Sequence, residues 1–284
     1  MTTTSDASTA TPELTEEFLR DFHDRSPGQQ SVGVEASPTA EGRTSYQEFA
    51  DRVAGARRVL DLGCADGALL AELAGRGAET LAGIDLSGAE LAFARRRPAL
   101  TGADLRLGRA QELPFEDASF DAVVSHMAFM LMWEAEQVVA ETARVLVPGG
   151  TFAVAVGGGA VAGEAMDLFL SLAQPFFQAA NAARRRMPRL GDRRTRTREG
   201  LDGLLEPAGF APVSWESIVI DQSGTPEQVW ESNIEMFYDM VVLDDDQIGQ
   251  LRQAFLAEAP ALLSDGRLPC SMRINFAISV LSGA

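Results

Sequence analysis

From residue 58 onward, apolar runs of strand length alternate with amphipathic stretches of helix length. RVLDL, TLAGID, DLRLGR, DAVVSH, TFAVAV, residues 213–221 and SMRINFAISV predict seven strands. Between them, one helix should end near Gly75 to Gly77, and another should open on the S-x-x-E capping box of Ser87 and Glu90 and stop at Pro98. A third places Val139, Ala143 and Leu146 on one face before the turn VPGG, and a fourth ends at Gly209. Strict alternation of this kind predicts an α/β fold built on a parallel, doubly wound sheet.

The pattern breaks at three places. Residues 1–12 are rich in Thr, Ser and Ala and read as a disordered tail. An amphipathic helix over 12–25 is followed by irregular chain carrying Gly and Pro breakers, then by a helix over 45–54. Residues 157–198 and 226–263 are too long for simple crossovers and predict helical caps. The remainder, 13–284, reads as one domain with cap elements at 13–44, 157–198 and 224–264.

Composition narrows the class. The chain has 284 residues, is 46% hydrophobic, and has a net charge of -17. That charge argues against a nucleic-acid or anionic-membrane surface. No apolar run of transmembrane length appears, and the N-terminus lacks the features of a signal peptide, which predicts a soluble, cytoplasmic protein. All 24 basic residues are arginine. Cys64 and Cys270 form no disulfide or zinc pattern, and with only His23 and His126 among scattered acids no metal site is expected.

The chemistry concentrates in VLDLGCADGALL, residues 59–70. A pyrophosphate turn needs glycines where this chain has Ala65 and Ala68. Asp61, at the strand end, would repel a diphosphate and attract a cation. The acid, the Gly63 turn and Gly67 at the helix start therefore suit a cationic amino-acid nucleoside better than a dinucleotide.

LDLGCADG, AGIDLS, GRAQELPFEDASFDAVVSH and RVLVPGGTFAVAV, in this order, resemble the motifs of class I S-adenosylmethionine (SAM) dependent methyltransferases over residues 40–221 and the last strand. The resemblance implies a Rossmann-like seven-stranded methyltransferase sheet and SAM as cofactor. Gly63 and Gly67 would allow backbone approach, and Asp61 would meet the ammonium. Asp85 would accept from the ribose hydroxyls. Leu86, Ala110 and Gln111 would flank the adenine, while Ser125 and His126 would lie near the transferable methyl. Arg109 stands where many relatives carry an acid. FHDRSPGQQS and GDRRTRTREGL more loosely resemble a bacterial small-molecule subgroup.

Residues 184–198 hold eight arginines and one acid, Asp192. They read either as a solvated stretch or as a site for an anionic acceptor or carrier, with Arg193 and Arg194 as candidates. Phe169, Phe176, Phe177, Met236, Phe237 and Tyr238 are candidate packing or chamber residues, with Tyr238 as a substrate contact. His126 is the first candidate base, and Glu164, Asp167 and Tyr238 are alternatives. The expected function is methyl transfer to a small hydrophobic or anionic metabolite of specialised biosynthesis. A fold repurposed for cyclisation or elimination, and a SAM-binding accessory subunit, are the alternatives. The implied partner is a small-molecule substrate, without nucleic acid or membrane, and a homo-oligomer remains open.

Overall fold

The computed structural model describes residues 11–183, 187–234 and 237–283. The first ten residues of the expected tail, arginines 184–186 and Met236 lie outside the described residues. Three helices come first: α1 (Pro12–Arg25), α2 (Gln29–Glu35) and α3 (Ser45–Asp51). The alternating region contains β1 (Arg58–Leu62), α4 (Ala68–Gly75), β2 (Thr80–Asp85), α5 (Gly88–Ala94), β3 (Asp104–Leu107), β4 (Phe120–His126), α6 (Ala135–Val145) and β5 (Leu146–Ala160). Then follow α7 (Ala165–Ala182), α8 (Arg198–Leu205), β6 (Ser214–Asp221), α9 (Pro226–Val229), α10 (Asp245–Glu258) and β7 (Ser271–Val280).

The seven strands form one sheet in the order β3-β2-β1-β4-β5-β7-β6. β1 to β5 pair in parallel, whereas β7 runs antiparallel to both β5 and β6. The sheet is therefore mixed, and the wholly parallel expectation fails at one strand. The reason is topological. β6 ends at Asp221, the chain passes through the second cap, and β7 starts beside that same edge, so no crossover returns it to the other end.

β7 also explains a second correction. Residues 157–160, expected to open the first cap, instead continue β5, with Gly157 opposite Ile274 and Gly159 opposite Arg273 across a register shift. Residues 26–44 are not wholly irregular either, since α2 forms there. It is anchored where Gly28 N donates to Glu90 Oε2 at 2.9 Å and Ser31 Oγ donates to Asp66 Oδ2 at 2.6 Å. Because Glu90 turns inward to meet Gly28, the expected capping box is half formed: Ser87 Oγ accepts from Glu90 N, but the carboxylate does not reciprocate. α1 spans Pro12–Arg25, as the sequence pattern predicts, with Thr11 as its N-cap.

Three apolar clusters hold the layers. One face of the sheet packs Leu60, Ile84, Val123 and Phe152 against α6 and α8. The opposite face packs Val59, Val124 and Phe276 against α3, α4 and α5. Phe169, Trp230, Ile234 and Phe255 form a separate core within the two caps. Among the described residues, no helix is long and apolar enough to cross a membrane.

Gly67 belongs to this packing. It caps α4 at a φ of 75°, and a Cβ there would lie 2.4 Å from Leu100 Cδ1 and 3.2 Å from Ala94 Cβ. Its missing side chain makes room for the α5 layer. We expect Gly67→Ala to destabilise the fold by about 1–3 kcal/mol through positive-φ strain and overpacking. Urea unfolding with an unchanged midpoint would contradict this.

Candidate active site

The strand order reverses direction between β1 and β4, leaving a crevice beyond their carboxyl ends. A cavity of about 1100 Å³ occupies it, roofed by α1 and the caps. Asp61, Gly63, Asp85, Leu86, Ala110, Gln111, His126, Arg193 and Tyr238 all line this cavity. Gly67, Ser125 and Arg194 do not.

Asp61, one residue before the end of β1, is only 2% exposed, and its Oδ1 has no hydrogen-bond partner. Burial, with the Asp85 charge second, holds its pKa well above the ordinary carboxylate value. Asp85 ends β2. Its Oδ2 accepts from Ala65 N and its Oδ1 from Ser87 N, each at 2.8 Å, so each oxygen keeps acceptor capacity facing the cavity. Burial raises the Asp85 pKa, and those two backbone bonds oppose the rise. Between the acids, the chain turns at Gly63, with φ at 72°. Its N donates to Ile84 O at 2.8 Å, and a Cβ would lie 2.4 Å from Ala128 Cβ.

At the adenine side expected from the motifs, Gln111 is largely committed: its Nε2 donates to Trp133 O at 2.9 Å. Arg109 reaches Glu16 of α1 at 2.8 Å and Glu134 at 3.1 Å, so the residue that replaces the usual acid ties α1 over the cavity. α1 is further held where Asp24 accepts from Ser87 Oγ and where His23 Nδ1 lies 3.5 Å from Glu90 Oε1. Tyr238 meets the same helix, with its ring centroid 4.7 Å from that of Phe22 and its hydroxyl 3.4 Å from His23 Nε2. Burial, with Asp85 second, pushes the Tyr238 pKa up to about 12.

Ser125 was expected near the reacting methyl. It is fully buried instead, donating to Leu62 O at 2.8 Å and accepting from Phe129 N at 3.0 Å, and so it pins the end of β4 to β1. His126 does reach the cavity. Its Nε2 lies 3.1 Å from Ser45 Oγ and its ring 4.6 Å from that of Tyr46, and burial pushes its pKa down to about 3. It is therefore neutral near pH 7 and a weak proton acceptor. Of the alternative bases, neither Asp167 nor Glu164 lines the cavity: Asp167 accepts from Gly163 N, and Glu164 accepts from Oγ of Ser271, which does line it.

The arginine pair also changes. Arg194 points to Asp192 and Glu136, each at 2.6 Å, and leaves the cavity. Arg196, which the sequence reading passed over, lines it together with Arg193. The signal was the spacing: residues 193–196 form a single 3₁₀ turn, in which i and i+3 share a face. Among the aromatics, Phe169 is fully buried in the cap core, Phe176 and Phe177 pack against it, and Phe237 and Tyr238 reach the cavity.

Residues 60–154 match the Methyltransferase domain family. Over that stretch the chain carries a methyltransferase domain. A probable S-adenosylmethionine-dependent methyltransferase of Mycolicibacterium smegmatis is 41% identical over 112 residues, which are 38% of this chain and 41% of that protein. A fatty-acid O-methyltransferase of the same organism is 39% identical over 97 residues, 34% of this chain and 35% of that one. The chain thus spans well under half the length of these relatives. In fold, the methyltransferase domain and its caps resemble Haemonchus contortus phosphoethanolamine N-methyltransferase 2 solved with SAM. The TM-score is 0.53 at 20% identity, covering 93% of this chain and 60% of that one.

The residues present fit SAM, the cofactor of this methyltransferase family. The unpartnered, buried Asp61 oxygen is a site for a cation, and the free acceptor capacity of Asp85 suits hydroxyl donors. Asp61→Asn should therefore separate two properties. Because the folded pKa of Asp61 is raised, its contribution to stability is fully present below the unfolded value and is lost as pH rises through the folded pKa. Asn removes that loss, so the variant should be at least as stable as wild type at pH 8 in thermal unfolding while binding SAM about 10- to 100-fold more weakly in calorimetry. Equal SAM affinity would remove Asp61 from the cofactor site.

Proposed function

We propose that the chain binds SAM across Asp61 and Asp85 and transfers its methyl group to a small, largely apolar metabolite carrying an anionic group. The observation that carries this reading is the buried, unpartnered carboxylate oxygen of Asp61 in a cavity with arginines elsewhere in its wall. When bound, SAM supplies an electrophilic methyl on a sulfonium. The chain contributes alignment and exclusion of water, since an in-line displacement requires no protein nucleophile.

Each part of the wall has a task in this scheme. Asp61 and Asp85 orient the cofactor, and α1 closes over it through the Arg109–Glu16 and His23–Glu90 contacts. His126, neutral and held by Ser45, fixes the shape of the cavity at the end of β4. Met127, Met130, Met166, Leu170 and Phe237 offer apolar surface to the acceptor. The similarity to a fatty-acid O-methyltransferase supports an acceptor of this character.

Formation of S-adenosylhomocysteine that depends on an added acceptor tests the proposal. SAM binding without turnover on any acceptor of this class would favour an accessory subunit. With such an acceptor, His126→Ala should lower turnover by about 10- to 100-fold through lost alignment while leaving SAM affinity unchanged. Wild-type turnover in this variant would show that the ring has no part in positioning.

A further inference from the structure

The cavity is polar in its charge. Two of its carboxylates, Asp61 and Asp85, stand near the carboxyl ends of β1 and β2, while Glu16 and Asp239 belong to α1 and the second cap. Arg196, in the turn after the first cap, donates to Met130 O at 3.3 Å and to Met130 Sδ at 3.5 Å, a neutral carbonyl and a thioether. Neither Arg196 nor Arg193 has a carboxylate partner among the described residues, whereas Arg194 between them has two. Burial, and Arg193 after it, push the Arg196 pKa down, so two neighbouring cations share this wall without a counter-charge.

Their position matters. Met130 lies in the segment that leaves β4, and its Sδ accepts from Gly157 N at 3.3 Å. Gly157 continues β5 just beyond Ala155, the register partner of His126. Arg196 therefore sits one side chain from the carboxyl ends of β4 and β5, on the opposite flank of β1 from Asp85. An anion held there faces a cofactor anchored on the other flank.

We propose that the acceptor is an apolar carboxylic acid, that Arg193 and Arg196 hold its carboxylate, and that a carboxylate oxygen receives the methyl group. This rests on the methyltransferase reading above. A carboxylate lone pair forms the new O–CH₃ bond while the S–CH₃ bond breaks and its electron pair remains on sulfur. A neutral ester and a neutral thioether result, and no proton moves. That balance suits this wall, where the neutral His126 is a poor base. It also suits a cavity that sheds water as cofactor and acceptor fill it, because opposite charges are consumed and the transition state needs less solvation than the reactants.

The test uses the full-length protein and straight-chain acids from octanoate to hexadecanoate, each beside its alcohol and amide. The expected product is the methyl ester of an acid, with no ether or N-methyl amide. At saturating SAM, its kcat/KM for the acid should be flat from about pH 6 to 9, because the transfer step itself moves no proton. Arg196→Gln should lower kcat/KM by about 10- to 100-fold and weaken binding of the same acid, measured by calorimetry with S-adenosylhomocysteine present, by a similar factor. Arg196→Lys should recover part of both, and SAM affinity should stay at the wild-type value in both variants. Failure to esterify any of the acids, or transfer to the alcohols instead, overturns the carboxylate assignment. So does a loss of SAM affinity in Arg196→Gln equal to the loss of acid binding, which would place the guanidinium on the cofactor. Failure of the wild-type protein to bind SAM at all would instead defeat the underlying methyltransferase reading.

Discussion

Two carboxylates at the ends of adjacent parallel strands are kept from water, and one oxygen of Asp61 is left without a partner. Burial of such a group is unfavourable unless it is protonated or meets a cation. The surrounding structure maintains this condition. β1 and β2 fix the two acids in register, the Gly63 turn brings backbone N–H groups toward Asp85 and not Asp61, and Ser125 pins β4 alongside. The strain is local, since the layers around it are closed by large apolar clusters on both faces of the sheet.

Above the strand ends, α1 and the caps turn a crevice into a chamber. The contacts of α1 are mostly polar and made at side-chain tips: Glu16 to Arg109, Asp24 to Ser87, His23 to Glu90. Arg109 is 41% exposed in its pair with Glu16, which limits what that pair contributes, whereas Glu90 is fully buried against His23.

The sheet was legible in the sequence because strand period, turn residues and strand-end acids all point the same way, and the residues singled out from charge and motif, Asp61, Gly63 and Asp85, do line one cavity. The failures share a cause. β7's direction, the extension of β5 through Gly157 and the formation of α2 depend on partners distant in the chain, which local pattern does not reveal. Ser125 and Gly67 were placed in the right neighbourhood, but their roles are set by side-chain direction: one bonds to Leu62 O, the other yields space to Leu100. Arg194 and Arg196 differ only in which side of a single 3₁₀ turn they occupy, so charge density located the segment without selecting the residue.

The caps carry their own core, in which Phe169, Trp230 and Phe255 pack with one another, apart from the two clusters that flank the sheet. Residues in that core and on its cavity face can therefore be exchanged during evolution without altering the strand register that presents Asp61 and Asp85. A lineage could inherit the cofactor half unchanged while its acceptor half drifts toward new chain lengths or shapes. Chimaeras that trade caps between such relatives at the ends of β5, β6 and β7 would follow the same seam.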